Sequence, residues 1–198
     1  MKRCVYDQRR EEVEECSLHG FADTSKKAYC GVVYLVYRTQ VSRYARMLTS
    51  KTRVATLKEL SIARLELIAA FILAKLMVNV EGALASQQSV KCSKLWLHSQ
   101  TALFWIMNRG EWKQFVKHRV NEILKLSDKG DWRYCPSQEN PADIGSRGMP
   151  ASELNQNVLW WQGPAWLTES EESWPSEGSV SPTTESREEE RATNILLA

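Results

Sequence analysis

The sequence predicts an α/β domain in which a five-stranded mixed sheet is flanked by helices. Three β-rich segments, LHGFAD, YCGVVYLVY and RYARMLTSKT, follow one another closely and indicate an antiparallel opening of the sheet. Helical periodicity and further short strands alternate after them, as in α/β folds. A chain of 198 residues with 43% hydrophobic and 25% charged residues is also large and apolar enough for one core.

The elements after the third strand are predicted from their periodicity. Five apolar residues recur at spacings of three and four and define one face of a long helix: Ile62, Leu65, Ala69, Ile72 and Leu76. Ser61 is the predicted N-cap of this helix. The strand KLWL, the helix TALFWIM, a third helix from Phe115 to Leu126 and the short strand DWRYC follow in order.

The predicted domain covers residues 17–167. Residues 1–16 are dense in charge and lack a clear period, which indicates a linker. Residues 168–198 are acidic and rich in Ser, Pro and Glu, so we expect a disordered tail. The aromatic cluster VLWWQGPAWL is predicted to pack back on the domain, because several exposed tryptophans would favour aggregation.

The formal net charge of +2 conceals an uneven distribution. Eight Glu but only two Arg follow Thr168, so residues 1–168 carry 24 Lys and Arg against 16 Asp and Glu, a net charge of +8. A basic body favours a polyanionic partner such as nucleic acid, although a Lys-rich solvated surface would give the same balance.

The cysteines and the apolar segments bear on the compartment. The five cysteines are odd in number, widely spaced and without a C-x-x-C pair, which indicates reduced thiols rather than a zinc or redox motif. No signal segment follows the N-terminus, and Glu66, Lys75 and Asn79 interrupt the most apolar run. We therefore expect an intracellular protein, in the cytoplasm or the nucleus, without a membrane span.

Two carboxylates are candidates for chemistry. Asp23 ends the first predicted strand and Glu66 lies within the apolar helical segment LELIAAFIL. An Asp after a strand is commonly a turn residue and a helical Glu commonly borders solvent, so neither alone identifies a site. The neighbours of Glu66, however, offer its carboxylate little solvation, and a partly buried charge requires a counter-charge or a metal ion.

Other catalytic classes find less support. His19 and His118 have no Cys or Ser nucleophile close to them in the sequence and are predicted to be structural. The chain has no G-x-S-x-G motif and no Gly-rich phosphate loop, which argues against a serine hydrolase and against a nucleotide-dependent enzyme.

Six segments together resemble a known family, the ribonuclease H-like domain of BEL/Pao-type retrotransposon polyproteins. They occur in the family's order between about Leu18 and Leu167: LHGFADTSKKAYCGVVYL, SKTRVATLKELSIARLELIAA, KLWLHSQTALFWI, WKQFVKHRVNEI, WRYCPSQENPADIGSRG and LWWQGPAWL. The resemblance implies a ribonuclease H-like fold with the element order β-β-β-α-β-α-β-α.

The resemblance also implies a site in which four carboxylates converge on two divalent ions, Mg²⁺ or Mn²⁺, for phosphodiester hydrolysis. It assigns Asp23 in GFAD, Glu66 in RLEL and Asp143 in NPAD as metal ligands. The family's W-T-D-S after the fourth strand is W-L-H-S here, so His98 occupies the remaining catalytic position. Because Mg²⁺ prefers anionic oxygen ligands, we expect impaired catalysis, with Mn²⁺ or Zn²⁺ tolerating the imidazole better.

The same resemblance suggests a nucleic-acid contact. Arg109, Lys113, Lys117 and Arg119 lie in FWIMNRGEWKQFVKHR, which is similar to the basic helical region that related nucleases use to hold a hybrid duplex. Arg147 is a further candidate for a phosphate, or with Ser146 for orienting Asp143. The alternative is that the aromatic residues of this segment are core and its charges a solvated face.

Three functions remain open from the sequence. The first is a nucleic-acid-binding, ribonuclease H-like domain of a retroelement polyprotein with a damaged metal site. The second is an active endonuclease that cleaves the RNA strand of RNA–DNA hybrids. The third is a non-catalytic connector or interaction module. Reverse transcriptase and integrase segments of a parent polyprotein are expected as further partners.

Overall fold

The structure is a computed structural model that describes residues 13–55, 60–86, 89–107, 110–176 and 180–191. One mixed sheet of five strands organises the fold, in the order β3-β2-β1-β4-β5. Its strands are β1 (Glu15–Thr24), β2 (Ala28–Arg38), β3 (Arg43–Val54), β4 (Cys92–Leu97) and β5 (Trp132–Tyr134). The first three strands pair antiparallel, and β1–β4 and β4–β5 pair parallel, which confirms the predicted mixed sheet.

Seven α-helices accompany these strands within the described residues. They are α1 (Ile62–Leu84), α2 (Gln100–Met107), α3 (Gln114–Leu124), α4 (Ala142–Arg147), α5 (Ala151–Leu154), α6 (Val158–Gln162) and α7 (Thr184–Glu188). The Ser61 side chain accepts a hydrogen bond from the Arg64 backbone N–H, which confirms the predicted N-cap of α1. Two helices, α2 and α3, separate β4 from β5, as the periodicity predicts; the resemblance alone implies one.

The sheet carries a hydrophobic layer on each face. One layer joins the sheet to α1, α2 and α3 through buried residues such as Leu18, Leu67 and Trp105. The other contains Phe21, Trp96 and the tryptophans that follow β5, among them Trp160 and Trp166. The aromatic cluster therefore packs on the sheet, as predicted, and each fully buried large side chain contributes roughly 1.5–3 kcal/mol.

Helix α1 is long and apolar enough, by length and composition, to cross a membrane. This is weak evidence, because the core helix of a globular domain has the same properties. Its apolar residues Leu67, Ala70 and Leu73 are fully buried, and the helix packs on β1 and β2. Its hydrophobicity is thus explained by the core.

The two ends of the chain differ from the predicted boundaries. Residues 1–12 lie outside the described residues, but β1 begins at Glu15, so the end of the predicted linker belongs to the sheet. Cys16 is buried there, because its side chain points into the α1 layer.

The disorder predicted after Thr168 also needs correction for the described part of that segment. Trp174 packs against Trp96 with ring centroids 5.6 Å apart, and Thr183 caps helix α7 through the Ser186 backbone N–H. Ser186 and Glu189 are buried. The average composition of the segment is that of disorder, but one aromatic residue and a few specific hydrogen bonds are enough to dock it.

Candidate metal centre

The sheet places Asp23 and His98 side by side. Strands β1 and β4 are parallel neighbours, so their carboxyl ends meet at the same edge. Ala22 of β1 is in register with Leu97 of β4. The next residues along the two strands are Asp23 and His98, respectively. The His98 Nδ1 atom lies 2.9 Å from Asp23 Oδ1, an ion-pair contact rather than an aligned hydrogen bond.

Glu66 reaches the same edge from helix α1. Its side chain is almost completely buried, and its Oε1 atom lies 3.5 Å from His98 Nε2. Neither of its carboxylate oxygens accepts a hydrogen bond from a described residue. One atom each from Asp23, Glu66 and His98 can be chosen so that all lie within 4.8 Å of one another. The imidazole therefore stands between two carboxylates.

The environment shifts the protonation of both partners. Burial, helped by the charges of Asp23 and Asp143, raises the pKa of Glu66 to about 8 against the lowering effect of His98. Burial alone would lower the pKa of His98, but the contacts with Asp23 and Glu66 outweigh it and raise this pKa above its usual value. Each shift therefore favours the protonated form of its own group.

Asp143 lies at the border of this cluster. It is in the first turn of α4, is partly exposed, and forms an ion pair with Arg147. The Ser146 hydroxyl donates a hydrogen bond of 2.6 Å to Asp23 Oδ2 and also contacts the Asp143 backbone carbonyl at 3.1 Å. Helix α4 therefore contributes a carboxylate, holds Asp23, and presents Arg147 as the partner of Asp143.

Asn140 fixes α4 to the end of β1. Its buried side chain donates a hydrogen bond to the Ala22 carbonyl at 2.9 Å and accepts one from the Ala142 backbone N–H at 3.0 Å. Nothing in the segment NPADIGSRG predicts this role of Asn140. A polar residue before a proline is too common in turns to suggest such a bond.

The donor atoms fit a divalent ion. The buried Glu66 oxygens without hydrogen bonds and the nearby Asp23 carboxylate are suited to coordination, and His98 adds a nitrogen donor when neutral. A mixed oxygen and nitrogen set is better matched to Mn²⁺ or Zn²⁺ than to Mg²⁺. Asp23 and Glu66 are the carboxylates of this compact set, and Asp143, the further ligand that the resemblance implies, is paired with Arg147 at its border.

The predicted nucleic-acid contacts are distributed unevenly. Arg109 lies outside the described residues. Lys113 and Lys117 are exposed at the start of α3, and the Arg119 guanidinium lies 4.6 Å from the centroid of the Phe71 ring. Arg147 is at the metal centre, away from α3 in the chain.

The aromatic residues of the same segment belong to the core, which was the alternative to a nucleic-acid contact. Trp105 and Trp112 are buried in the α1 layer. His19 is also structural, because it is buried and its Nδ1 atom accepts a hydrogen bond of 3.2 Å from Trp96 Nε1. Arg64, which faces α3, carries no sequence signal for a functional role, because that role depends on how the helices pack.

The strand order and the carboxylates at the sheet edge define a ribonuclease H-like α/β domain. The chain belongs to the family of Pao retrotransposon-like RNaseH-like domains, whose model matches residues 1–99. This range includes Asp23, Glu66 and His98. Domains of the ribonuclease H-like class generally use divalent metal ions and bind nucleic acid.

Similarity to solved structures is low. An RNase H1 from Halobacterium salinarum shares 14% identity with a TM-score of 0.39, covering 64% of this chain and 90% of that one. The PPX-GPPA enzyme of Aquifex aeolicus shares 6% identity with a TM-score of 0.30, covering 64% of this chain and 38% of that one. No curated protein matches the sequence.

Proposed function

We propose that this domain binds nucleic acid, RNA–DNA hybrids in particular, but cleaves the RNA strand poorly with Mg²⁺. The observation that carries the proposal is the position of His98. Its imidazole contacts Asp23 at 2.9 Å and Glu66 at 3.5 Å, where the resemblance implies a third carboxylate. A site built for several anionic ligands thereby loses one negative charge and gains a group that can be positive.

The consequences follow from the chemistry of the remaining donors. Asp23, Glu66 and Asp143 would hold the metal, and bound Mg²⁺ or Mn²⁺ would supply Lewis acidity and an activated water. Protonated His98 would oppose binding of a cation, and neutral His98 would offer a nitrogen that Mg²⁺ accepts reluctantly. Ser146 would keep Asp23 oriented, because its hydroxyl donates to Oδ2.

The nucleic acid would be held by charge. Lys113, Lys117 and Arg119 on α3 and Arg147 on α4 supply the cations, and the body of the chain is basic. Reverse transcriptase and integrase segments of a parent polyprotein belong to the same proposal, as partners in the processing of a hybrid.

One observation favours a second candidate, a Mn²⁺-dependent endonuclease. The donor atoms of Asp23, Glu66 and His98 are compact enough to share one ion. An ion that accepts nitrogen as well as oxygen could use the imidazole as a ligand rather than be excluded by it.

The test is cleavage of an RNA–DNA hybrid by the full chain and by His98→Asp, each with Mg²⁺ and with Mn²⁺. We expect His98→Asp to raise the Mg²⁺-dependent rate about 100-fold or more, because it restores an anionic ligand. His98→Asn is the matched control, since it has the size of Asp without the charge and should stay inactive with Mg²⁺.

The outcomes separate the candidates. Efficient Mg²⁺ cleavage by the unchanged chain, with no gain in a folded His98→Asp variant, would show that His98 replaces no ligand. Cleavage by the unchanged chain with Mn²⁺ alone would support the second candidate. Absence of hybrid binding at low salt would leave the connector interpretation.

A further inference from the structure

Helices α1 and α3 form a cationic depression whose described lining includes none of the candidate metal ligands. We call it the α1–α3 surface, lined by Arg64, Lys113, Gln114, Phe115, His118 and Arg119. No acidic side chain is among these described lining residues. The Arg64 guanidinium lies 5.1 Å from the centroid of the Phe115 ring, and Arg119 lies 6.0 Å from the same ring. An aromatic floor with flanking cations is suited to a polyanion.

The chain's own acidic segment occupies one end of this surface. We define the acidic segment as residues 183–191, with the sequence TTESREEER from Thr183. Arg64 donates from Nε and Nη2 to Glu189 Oε1, at 2.8 and 2.6 Å. Lys113 Nζ donates to the Glu188 carbonyl at 2.6 Å, and the Lys113 backbone N–H donates to the Glu189 carbonyl at 2.7 Å. Two cations of the surface are therefore engaged in cis.

The anchoring of the segment does not depend on its carboxylates alone. The hydroxyls of Thr101 and Thr183 lie 2.8 Å apart, and Trp105 Nε1 donates to the Ser186 carbonyl at 3.3 Å. These bonds and the backbone bonds of Lys113 would survive the change of a glutamate to glutamine. Charge at the surface can thus be altered with the docked segment kept in place.

The carboxylate contact itself is incomplete. Glu189 is buried, yet its Oε2 atom has no hydrogen-bond partner among the described residues. Arg119 Nε, on the same surface, is also buried without a partner there. Unpaired buried groups cost free energy, and an acceptor oxygen supplied by a ligand would satisfy Arg119 Nε, which Glu189 leaves unpaired.

We propose that the α1–α3 surface is a site for the phosphodiester backbone of nucleic acid. The Glu189 carboxylate, which contacts Arg64, competes with phosphates for it, and the neighbouring charges of Glu188 and Glu190 add to this competition. Carboxylate and phosphate oxygens accept hydrogen bonds from the same guanidinium and ammonium donors. The acidic segment then weakens binding of nucleic acid by occupying Arg64 and Lys113. This proposal rests on the nucleic-acid binding proposed above.

The experiment compares two double variants of the full chain that remove the same charge. Glu189→Gln with Glu190→Gln neutralises the acidic segment, and Glu171→Gln with Glu172→Gln neutralises two glutamates outside the α1–α3 surface. Binding of a fluorescent RNA–DNA hybrid is measured by anisotropy with EDTA at about 50 mM salt, where electrostatic contacts are strong. Thermal unfolding verifies that each variant is folded.

We expect Glu189→Gln with Glu190→Gln to bind about 3- to 10-fold more tightly than the parent, and the Glu171/Glu172 control to change less than about twofold. Adding Arg64→Gln to the first variant should remove most of this gain, because the released cation is then absent. If Glu189→Gln is poorly folded, Glu188→Gln with Glu190→Gln, both at exposed positions, takes its place. A smaller gain, of about 2- to 3-fold, is then expected, because Glu188 contacts Lys113 through its backbone carbonyl and Glu189 still contacts Arg64.

Two results would overturn the inference and leave the proposed function standing: equal affinity in all chains, or an equal gain in the control. If no chain binds the hybrid at low salt, the proposed nucleic-acid function fails, and the inference fails with it. A selective gain that depends on Arg64 supports both.

Discussion

Glu66 and His98 interact electrostatically at the edge of the sheet where β1 and β4 end. Glu66 is buried, and no described residue donates a hydrogen bond to its carboxylate. Burial, helped by nearby acids, raises its pKa to about 8. A buried carboxylate of this kind is costly unless a cation compensates it. His98 is placed to do so, since the neighbouring acids raise its pKa. A histidine at this position can therefore relieve the cost to stability of the buried carboxylate.

His19 gives a residue-level prediction of pH dependence. Burial, with a smaller effect of Lys94, lowers its pKa to about 3, from an ordinary value near 6.5. Between these values the unfolded chain binds a proton that the folded chain does not. Stability from this residue is complete above about pH 6.5 and is lost as the pH falls, by at most about 1.4 kcal/mol per pH unit.

The measurement is urea unfolding of the parent and of His19→Gln between about pH 4 and 7.5. As the pH falls, the unfolding free energy of the variant should decrease less steeply than that of the parent. The difference in slope corresponds to at most one proton bound on unfolding, and it should appear even if the variant is less stable at every pH. The same slope in both chains would mean that His19 is protonated in the folded state.

At the scale of elements, the close packing of helix α4 on the sheet brings Asp143 near the ends of β1 and β4. Gly145 faces β2, where an added Cβ would collide with the Cys30 side chain and approach Trp160 to 3.3 Å. Asn140 ties the start of the helix to β1. Gly145 and Asn140 therefore set the position of Asp143 relative to Asp23.

Two glycines in helices should respond oppositely to alanine. Gly145→Ala should destabilise the protein by about 1–3 kcal/mol, because the new methyl group overpacks the contact with β2. Gly82→Ala, in α1, should stabilise it by up to about 1 kcal/mol, since nothing lies within 4 Å of the new Cβ and alanine favours the helix. Thermal unfolding measures both, and a stabilising Gly145→Ala would show that α4 is loosely packed.

The elements also show what a sequence can predict. The strands, α1 with its cap, and the two helices before β5 follow from periodicity, because these elements bury a regular face. The contacts of Asn140, Arg64 and Glu189 join residues more than 100 positions apart or depend on one docked segment. No local pattern encodes such contacts, which is why composition predicted disorder after Thr168.

At the scale of the whole molecule, the uneven distribution of charge predicts how nucleic-acid binding depends on salt. The basic body would bind nucleic acid through released counterions, and the acidic end would oppose it. If Lys113, Lys117, Arg119 and Arg147 neutralise about four phosphates, affinity for a hybrid should fall about 100-fold or more between about 50 and 200 mM salt. Anisotropy titrations measure the slope, and binding that is independent of salt would contradict the charge-based account.

Metal affinity is the most direct test of the claim that His98 replaces a carboxylate ligand. Calorimetric titration of Mg²⁺ and Mn²⁺ into the parent, His98→Asp and His98→Asn requires no nucleic acid and no turnover. We predict that His98→Asp binds Mg²⁺ about 10- to 100-fold more tightly than the parent, that His98→Asn does not, and that the parent prefers Mn²⁺. A parent chain that binds Mg²⁺ as tightly as His98→Asp would contradict the account.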